Sequence, residues 1–215
     1  MMPLETLTSL RERLMRDGFS AAQAQADPLR QFAAWFELAR EAGLYQSNAM
    51  TLATATTDGR PSARMVILSA FDEGGIVFCT DRDSPKARIL LQNPWAAAVV
   101  HWGELQRQVR LEGRVVPAAE AEADAYFARR RWPARLATWA GRQSQPIPDR
   151  ELLEERLVAL LAKYEHAPVP RPPYYAAYRL VPDMLEFWQG RHDCLHDRVK
   201  YTRAESGWRI ETLAP

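Results

Sequence analysis

One short stretch near the C-terminal end is rich in groups that can do chemistry. Leu185-Glu186-Phe187-Trp188-Gln189-Gly190 is followed closely by Cys194-Leu195-His196-Asp197-Arg198. Trp stacks, His and Cys hold or release protons, and Asp and Arg carry fixed charge. Met184, Glu186 and Trp188 alternate with Leu185 and Phe187 at strand period. Two readings fit. One is an antiparallel strand whose aromatics are core. The other presents Trp188 to a flat aromatic ligand, with His196 and Arg198 adding polar contacts. On a strand, His192, Cys194 and His196 would share a face, and both residue types bind zinc. Their spacing is not a usual structural-zinc pattern, so no metal is assigned. The bland reading of Cys194 is a small buried neutral side chain.

A second constellation is cationic. Arg64 begins Arg64-Met65-Val66-Ile67-Leu68-Ser69, and Lys86 follows Ser84-Pro85 in what reads as a first helical turn. The start of a helix carries free N–H groups and partial positive charge, so a Lys there is unfavourable unless an anion balances it. A phosphate would serve, and the alternative is a solvated Lys.

These residues need elements to position them. Residues 1–48 read as a helical segment. Leu7, Leu10 and Leu14 share a face, and Asp27-Pro28 opens a second helix with the stripe Leu29, Phe32, Phe36, Ala39 and a stop at Gly43. This segment is expected to pack across a sheet or against another subunit. From Ala49 the period becomes two. Met50, Leu52 and Thr54 alternate, Thr57-Asp58-Gly59-Arg60 turns the chain, and runs over 63–70 and 76–80 make an antiparallel meander. A short helix, capped by Ser84, runs to Asn93-Pro94. Further strands are expected over 95–102, 106–116, 174–181, 184–189, 197–203 and 208–213, with helices over 118–130 and 149–164. Eight or nine short strands with helices inserted between them give an α+β pattern expected to close into a barrel over 49–215.

The tail Glu186-Phe187-Trp188-Gln189 … Leu195-His196-Asp197-Arg198 resembles the C-terminal signature of the pyridoxamine/pyridoxine 5′-phosphate oxidases. That resemblance implies an antiparallel split barrel, a homodimer with flavin at the subunit interface, and FMN as cofactor. It implies that Arg64, Thr80 and Lys86 hold the FMN phosphate. The backbone from Arg64 through Met65, Val66, Ile67 and Leu68 to Ser69 would lie along the flavin ring, with Cys79, Gln108, Gln143, Ser144, Trp188 and Arg198 also on the cofactor. A fixed cation such as Arg198 stabilises the negative charge of a reduced flavin. On the substrate side it implies Tyr126 and Arg130, read as four apart on one helix face, and His196 as the residue at the substrate ring and the catalytic candidate. Ser69 and Cys194 also fall in that pocket.

The chain departs from the family pattern at four positions. Pro85 stands for Arg, Ser69 for Lys, Ala134 for Ser and Cys194 for Arg. Hydrogen bonds to charged groups contribute about 1.5–3 kcal/mol each, so a phosphorylated substrate should be held less tightly. The expected reaction is oxidation of pyridoxine or pyridoxamine 5′-phosphate to pyridoxal 5′-phosphate, with oxygen reduced to hydrogen peroxide. The alternatives are a diverged flavin oxidase of a secondary metabolite, similar to those of phenazine biosynthesis, and a non-catalytic flavin or pyridoxal phosphate binder.

The totals fit one domain, or one domain with a helical extension. The chain has 215 residues, 47% of them hydrophobic, and a net charge of +1. Such a chain builds a core but offers no strongly basic surface for nucleic acid or anionic membrane. No apolar run reaches membrane-spanning length, and Met1-Met2-Pro3-Leu4-Glu5 is unlike a signal peptide. Two cysteines make no disulfide framework, so a cytoplasmic location is expected.

Overall fold

The computed structural model describes residues 6–215. Among them are eight strands. β1 (Ala49–Ala55), β2 (Pro61–Asp72) and β3 (Gly75–Asp81) form the expected meander. β4 (Trp95–Trp102), β5 (Arg107–Pro117) and β6 (Tyr175–Gln189) follow, then β7 (Asp197–Arg203) and β8 (Trp208–Leu213). The sheet order is β3-β2-β1-β4-β5-β6-β7-β8, all antiparallel, and an added β3–β6 pairing closes the first six strands into a barrel. The period-two alternation of β1 is physical: Met50, Leu52 and Thr54 are buried and their neighbours are not.

The barrel is split where β2 changes partner. Residues 61–67 pair only with β1, and pairing to β3 begins at Leu68↔Phe78. The register slips between Leu68 and Ala70, so Ser69 stands at a bulge. From Ser62 to Ile67 the β3-facing edge of β2 therefore has no strand beside it.

β6 was expected as two strands and is one of 15 residues. Pro182 has no N–H for a ladder bond, and β5 slips register opposite it, between Glu112 and Gly113. A Cβ at Gly113 would lie 2.1 Å from the Val181 carbonyl oxygen, so only glycine fits there.

Two helices close one end of the barrel. α1 (Leu7–Asp17) and α2 (Pro28–Glu41) bury Leu10, Leu14, Leu29, Phe32, Trp35 and Ala39 in the same core as the strands. Asp27 caps α2, accepting from the Leu29 amide at 2.7 Å. Phe32 meets Phe71 edge-on at 5.1 Å, and Trp35 meets Phe187 at 5.1 Å. A separate core of Phe127, Leu136, Tyr164, Val169 and Tyr175 lies under α4 (Glu120–Arg129), α5 (Trp132–Ala140) and α6 (Glu151–Tyr164). The leucines of α6 are only half-buried, and Leu161 is exposed. α5 has no counterpart among the sequence expectations. No helix among the described residues is long and apolar enough to cross a membrane.

Candidate functional site

The split leaves a cavity of about 710 Å³ between the two cores. The free edge of β2 forms one wall and Cys79–Asp81 of β3 another. The start of α3 (Pro85–Gln92), the helices α4 and α5, and the loop 141–144 complete it. Of the residues expected at a cofactor, it gathers Arg64, Met65, Val66, Ile67, Ser69, Cys79, Thr80, Lys86, Gln143 and Ser144, and with them Tyr126 and Arg130. Leu68 is the exception on β2. Its side chain is buried in the barrel core and its amide donates to the Asn48 carbonyl.

One end of the cavity is cationic. Arg64 donates from Nη1 to the Leu52 carbonyl at 3.0 Å and Thr54 Oγ1 at 2.9 Å, and from Nη2 to Ser62 Oγ at 2.6 Å. Lys86 is buried, and its Nζ donates to Thr80 Oγ1 at 3.0 Å and Gln143 Oε1 at 2.9 Å. All these acceptors are neutral. Burial lowers the pKa of both cations, and on Lys86 the repulsion from Arg64 outweighs the opposing pull of Asp81. Ser84 occupies the N-cap position of α3 without capping it. Its hydroxyl lies 3.3 Å from that of Thr80 instead, so the first-turn amides keep no side-chain partner. Two partly desolvated cations beside an open helix start are chemically suited to an anion.

The other end is neutral and aromatic. Tyr126, Tyr175, Cys79 and Ser69 line it, and among the described residues Arg130 is its one cation. Tyr126 and Arg130 do not share a helix face, because α4 ends at Arg129 and Arg130 has an extended backbone. Arg130 reaches the cavity by donating to Thr138 Oγ1 at 2.5 Å, with its guanidinium 5.5 Å over the Tyr175 ring. Burial raises the pKa of both the Cys79 thiol and the Tyr175 phenol, so each stays neutral.

The remaining candidates lie elsewhere on the chain. Gln108 pairs with Trp188 across β5 and β6, and Trp188 pairs with Arg198 across β6 and β7, so the three form one row on one sheet face. All three are half-buried, and none lines the cavity of its own protomer. Arg198 is oriented by Glu186, which accepts from its Nε at 3.0 Å, and by the Ala214 carbonyl at 2.8 Å. His196 sits 4.9 Å from the Trp188 ring, and its Nδ1 accepts from the Arg191 amide at 3.1 Å. That bond makes Nδ1 the ring's acceptor and Nε2 its donor. His192, Cys194 and His196 do not share a strand face. They lie in the turn between β6 and β7, where Cys194 is exposed rather than buried, with φ of 63°.

Sequence reading missed Asp81, Arg142, Tyr174 and Tyr175. The Tyr pair follows the Pro-rich stretch 168–173, and that junction was the available signal. Arg142 and Asp81 lie too far apart in sequence to suggest a pair.

The comparisons with known proteins bear on this geometry. A family model described as pyridoxamine 5′-phosphate oxidase matches residues 36–163. One described as the pyridoxine 5′-phosphate oxidase C-terminal dimerisation region matches 175–215. The chain belongs to the pyridoxamine 5′-phosphate oxidase family. A pyridoxine/pyridoxamine 5′-phosphate oxidase of Rubrobacter xylanophilus is 51% identical over 97% of this chain and 96% of its own length. One of Gloeothece citriformis is 49% identical over 98% and 99%. Among solved structures, PhzG from Burkholderia lata 383, in complex with tetrahydrophenazine-1-carboxylic acid, superposes with a TM-score of 0.85 at 35% identity. That match covers 91% of this chain and 96% of the other. An FMN-binding protein of Nostoc punctiforme related to pyridoxamine 5′-phosphate oxidase shares the fold, with a TM-score of 0.70 at 23% identity over 87% and 98%. Membership places the chain among FMN-dependent oxidoreductases. The dimerisation region spans β6 to β8, taking in Trp188 and Arg198 on the strands and His196 in the turn between β6 and β7, and points to a homodimer.

Proposed function

We propose that this chain is an FMN-dependent oxidase that converts pyridoxine or pyridoxamine 5′-phosphate to pyridoxal 5′-phosphate, reducing oxygen to hydrogen peroxide. The observation that carries the reading is a pair of cations at one end of the cavity, half-buried Arg64 and buried Lys86, whose hydrogen-bond acceptors are all neutral. Their desolvated charge fits a phosphate and suits no apolar ligand. The free edge of β2 beside them offers backbone groups to a flat heteroaromatic ring, and about 710 Å³ accommodates a flavin mononucleotide. A bound FMN would supply the redox chemistry as a hydride acceptor.

The chain's own residues bind and orient. Arg64, Thr80 and Lys86 hold the cofactor phosphate, with Gln143 and Ser144 beside it. Arg130 and Tyr126 take the substrate's anionic group, and His196 donates from Nε2 to an acceptor on the substrate ring. Gln108, Trp188, Arg198 and His196 reach this cavity from the partner subunit. The match of the dimerisation region to β6 through β8, which bear Trp188 and Arg198, supports that arrangement. Titration with FMN, then turnover of pyridoxine 5′-phosphate followed by peroxide release, tests the reading. A flavin-loaded protein with no turnover would remove the substrate assignment.

A second reading has its own support. On the substrate side Arg130 is the only lining cation among the described residues, with Ser69, Ala134 and Cys194 where the family pattern has Lys, Ser and Arg. An oxidase of an aromatic carboxylate, of the kind bound by the PhzG relative, needs only one such cation. Turnover of that class without turnover of pyridoxine phosphate would select it.

A further inference from the structure

The cavity wall at 141–144 belongs to no helix or strand. It is fastened to the end of β3 by charge. Arg142 donates from Nε to Asp81 Oδ2 at 2.9 Å and from Nη2 to Asp81 Oδ1 at 3.3 Å, and also contacts Asp83. Its guanidinium lies 3.9 Å over the Tyr174 ring. The Asp81 side chain is only 5% exposed. It also accepts from the amides of Asp83 at 2.8 Å and Gln143 at 3.3 Å. One buried carboxylate therefore ties together β3, the approach to α3 and the loop.

What the fastening aims is the side chain next to it. Gln143 Oε1 accepts from Thr80 Oγ1 at 2.6 Å and from Lys86 Nζ at 2.9 Å. These are the donors of the anion end of the cavity. The neighbouring Ser144 has φ of 64°, a conformation a non-glycine residue keeps only when its surroundings impose it. Pro85 lines the same end and has neither charge nor N–H to give. The phosphate end thus depends on Arg64, Lys86 and whatever this loop holds in place.

We propose that Asp81 and Arg142 are positioning residues, a latch that holds the 141–144 loop against the phosphate end of the cavity and sets how long FMN stays bound. The inference rests on the flavin reading above and goes beyond it, since neither residue is assigned a contact with the cofactor. Breaking the latch frees Gln143 from Lys86 and Thr80 and opens a route for the phosphate to leave. Neither Asp81 nor Arg142 belongs to the barrel core or to the core under α4, α5 and α6.

The test is FMN release from the loaded protein, followed by the recovery of free-flavin fluorescence on dilution, for wild type, Arg142→Ala, Arg142→Lys and Asp81→Asn. Release should quicken about tenfold or more in Arg142→Ala and Asp81→Asn. Arg142→Lys, which keeps the charge but loses the two-nitrogen fork, should fall between. Affinity for riboflavin, which lacks the phosphate, should stay within about threefold of wild type in every variant. Release rates of both Arg142→Ala and Asp81→Asn within about twofold of wild type would overturn the latch. So would an equal loss of FMN and riboflavin affinity, which would mark the pair as general support for the fold. A wild-type protein that takes up no FMN would instead remove the flavin reading, and the latch with it.

Discussion

Lys86 shows how a functional group can work against the fold that carries it. Its ammonium is buried beside Arg64, and every acceptor within reach is neutral. Replacing it with Met removes one charged donor from the phosphate, so FMN affinity should fall by roughly 10- to 100-fold. The flavin-free variant should melt no lower than wild type, because a desolvation penalty goes with the charge. The pH dependence has a definite sign. Burial and Arg64 lower the Lys86 pKa in the folded chain. Between that value and the ordinary lysine value the unfolded chain binds more protons, so this contribution to stability rises with pH across that window. Melting curves of flavin-free wild type and Lys86→Met should therefore converge as pH rises toward the ordinary lysine range. Parallel curves would show that the ammonium is not desolvated. The sequence offered only a mild hint at this residue, since a Lys in a first helical turn is eased by an anion, and its burial against Thr80 and Gln143 was not legible. The environment of Arg130 was not legible. Its helical spacing from Tyr126 was real, but α4 stops at Arg129, and Thr138 and Tyr175 decide where the guanidinium lies.

Elements were readable where one period ran unbroken between turn residues. β1 and α2 are examples: alternation at Met50, Leu52 and Thr54 in one, and Asp27-Pro28 ahead of an apolar stripe in the other. Reading failed where a local signal competed with long-range pairing. Pro182 looks like a strand terminator, yet β6 continues through it because β5 slips past at Gly113. α5 starts in an Arg-rich run with Pro133 at its first turn, and its apolar pattern is short. The kink is a specific structural demand. Gly113→Ala would press a methyl group against the Val181 carbonyl at 2.1 Å. Backbone cannot give way as a flexible side chain can, so the loss should be about 2–4 kcal/mol, read as a lowered denaturant midpoint at unchanged slope. A variant as stable as wild type would mean that the β5–β6 crossing is looser than the register implies.

At the scale of the whole molecule, the expected site residues divide into two sets that one protomer does not bring together. The cavity carries Arg64 and Lys86, while Gln108, Trp188 and Arg198 form a row across β5, β6 and β7. No sequence pattern could reveal this division, because the row is created by strand register and its meeting with a cavity depends on a second copy. A closed two-fold dimer would form two sites, each from one protomer's cavity and the other's row. That arrangement makes a prediction about mixtures. Lys86→Met and Arg198→Ala homodimers are each defective in both sites. Unfolded together and reassembled at random, they give mixed dimers in which one site combines two defects and the other has none. About a quarter of all sites in the mixture should then be fully native. At an FMN concentration that loads wild type but neither variant, turnover should recover to about that fraction, and with wild-type affinity for the flavin. If each site were built from a single chain, mixing would restore nothing, because every cavity would keep its own defect. The same reassembly without either substitution controls for losses in refolding.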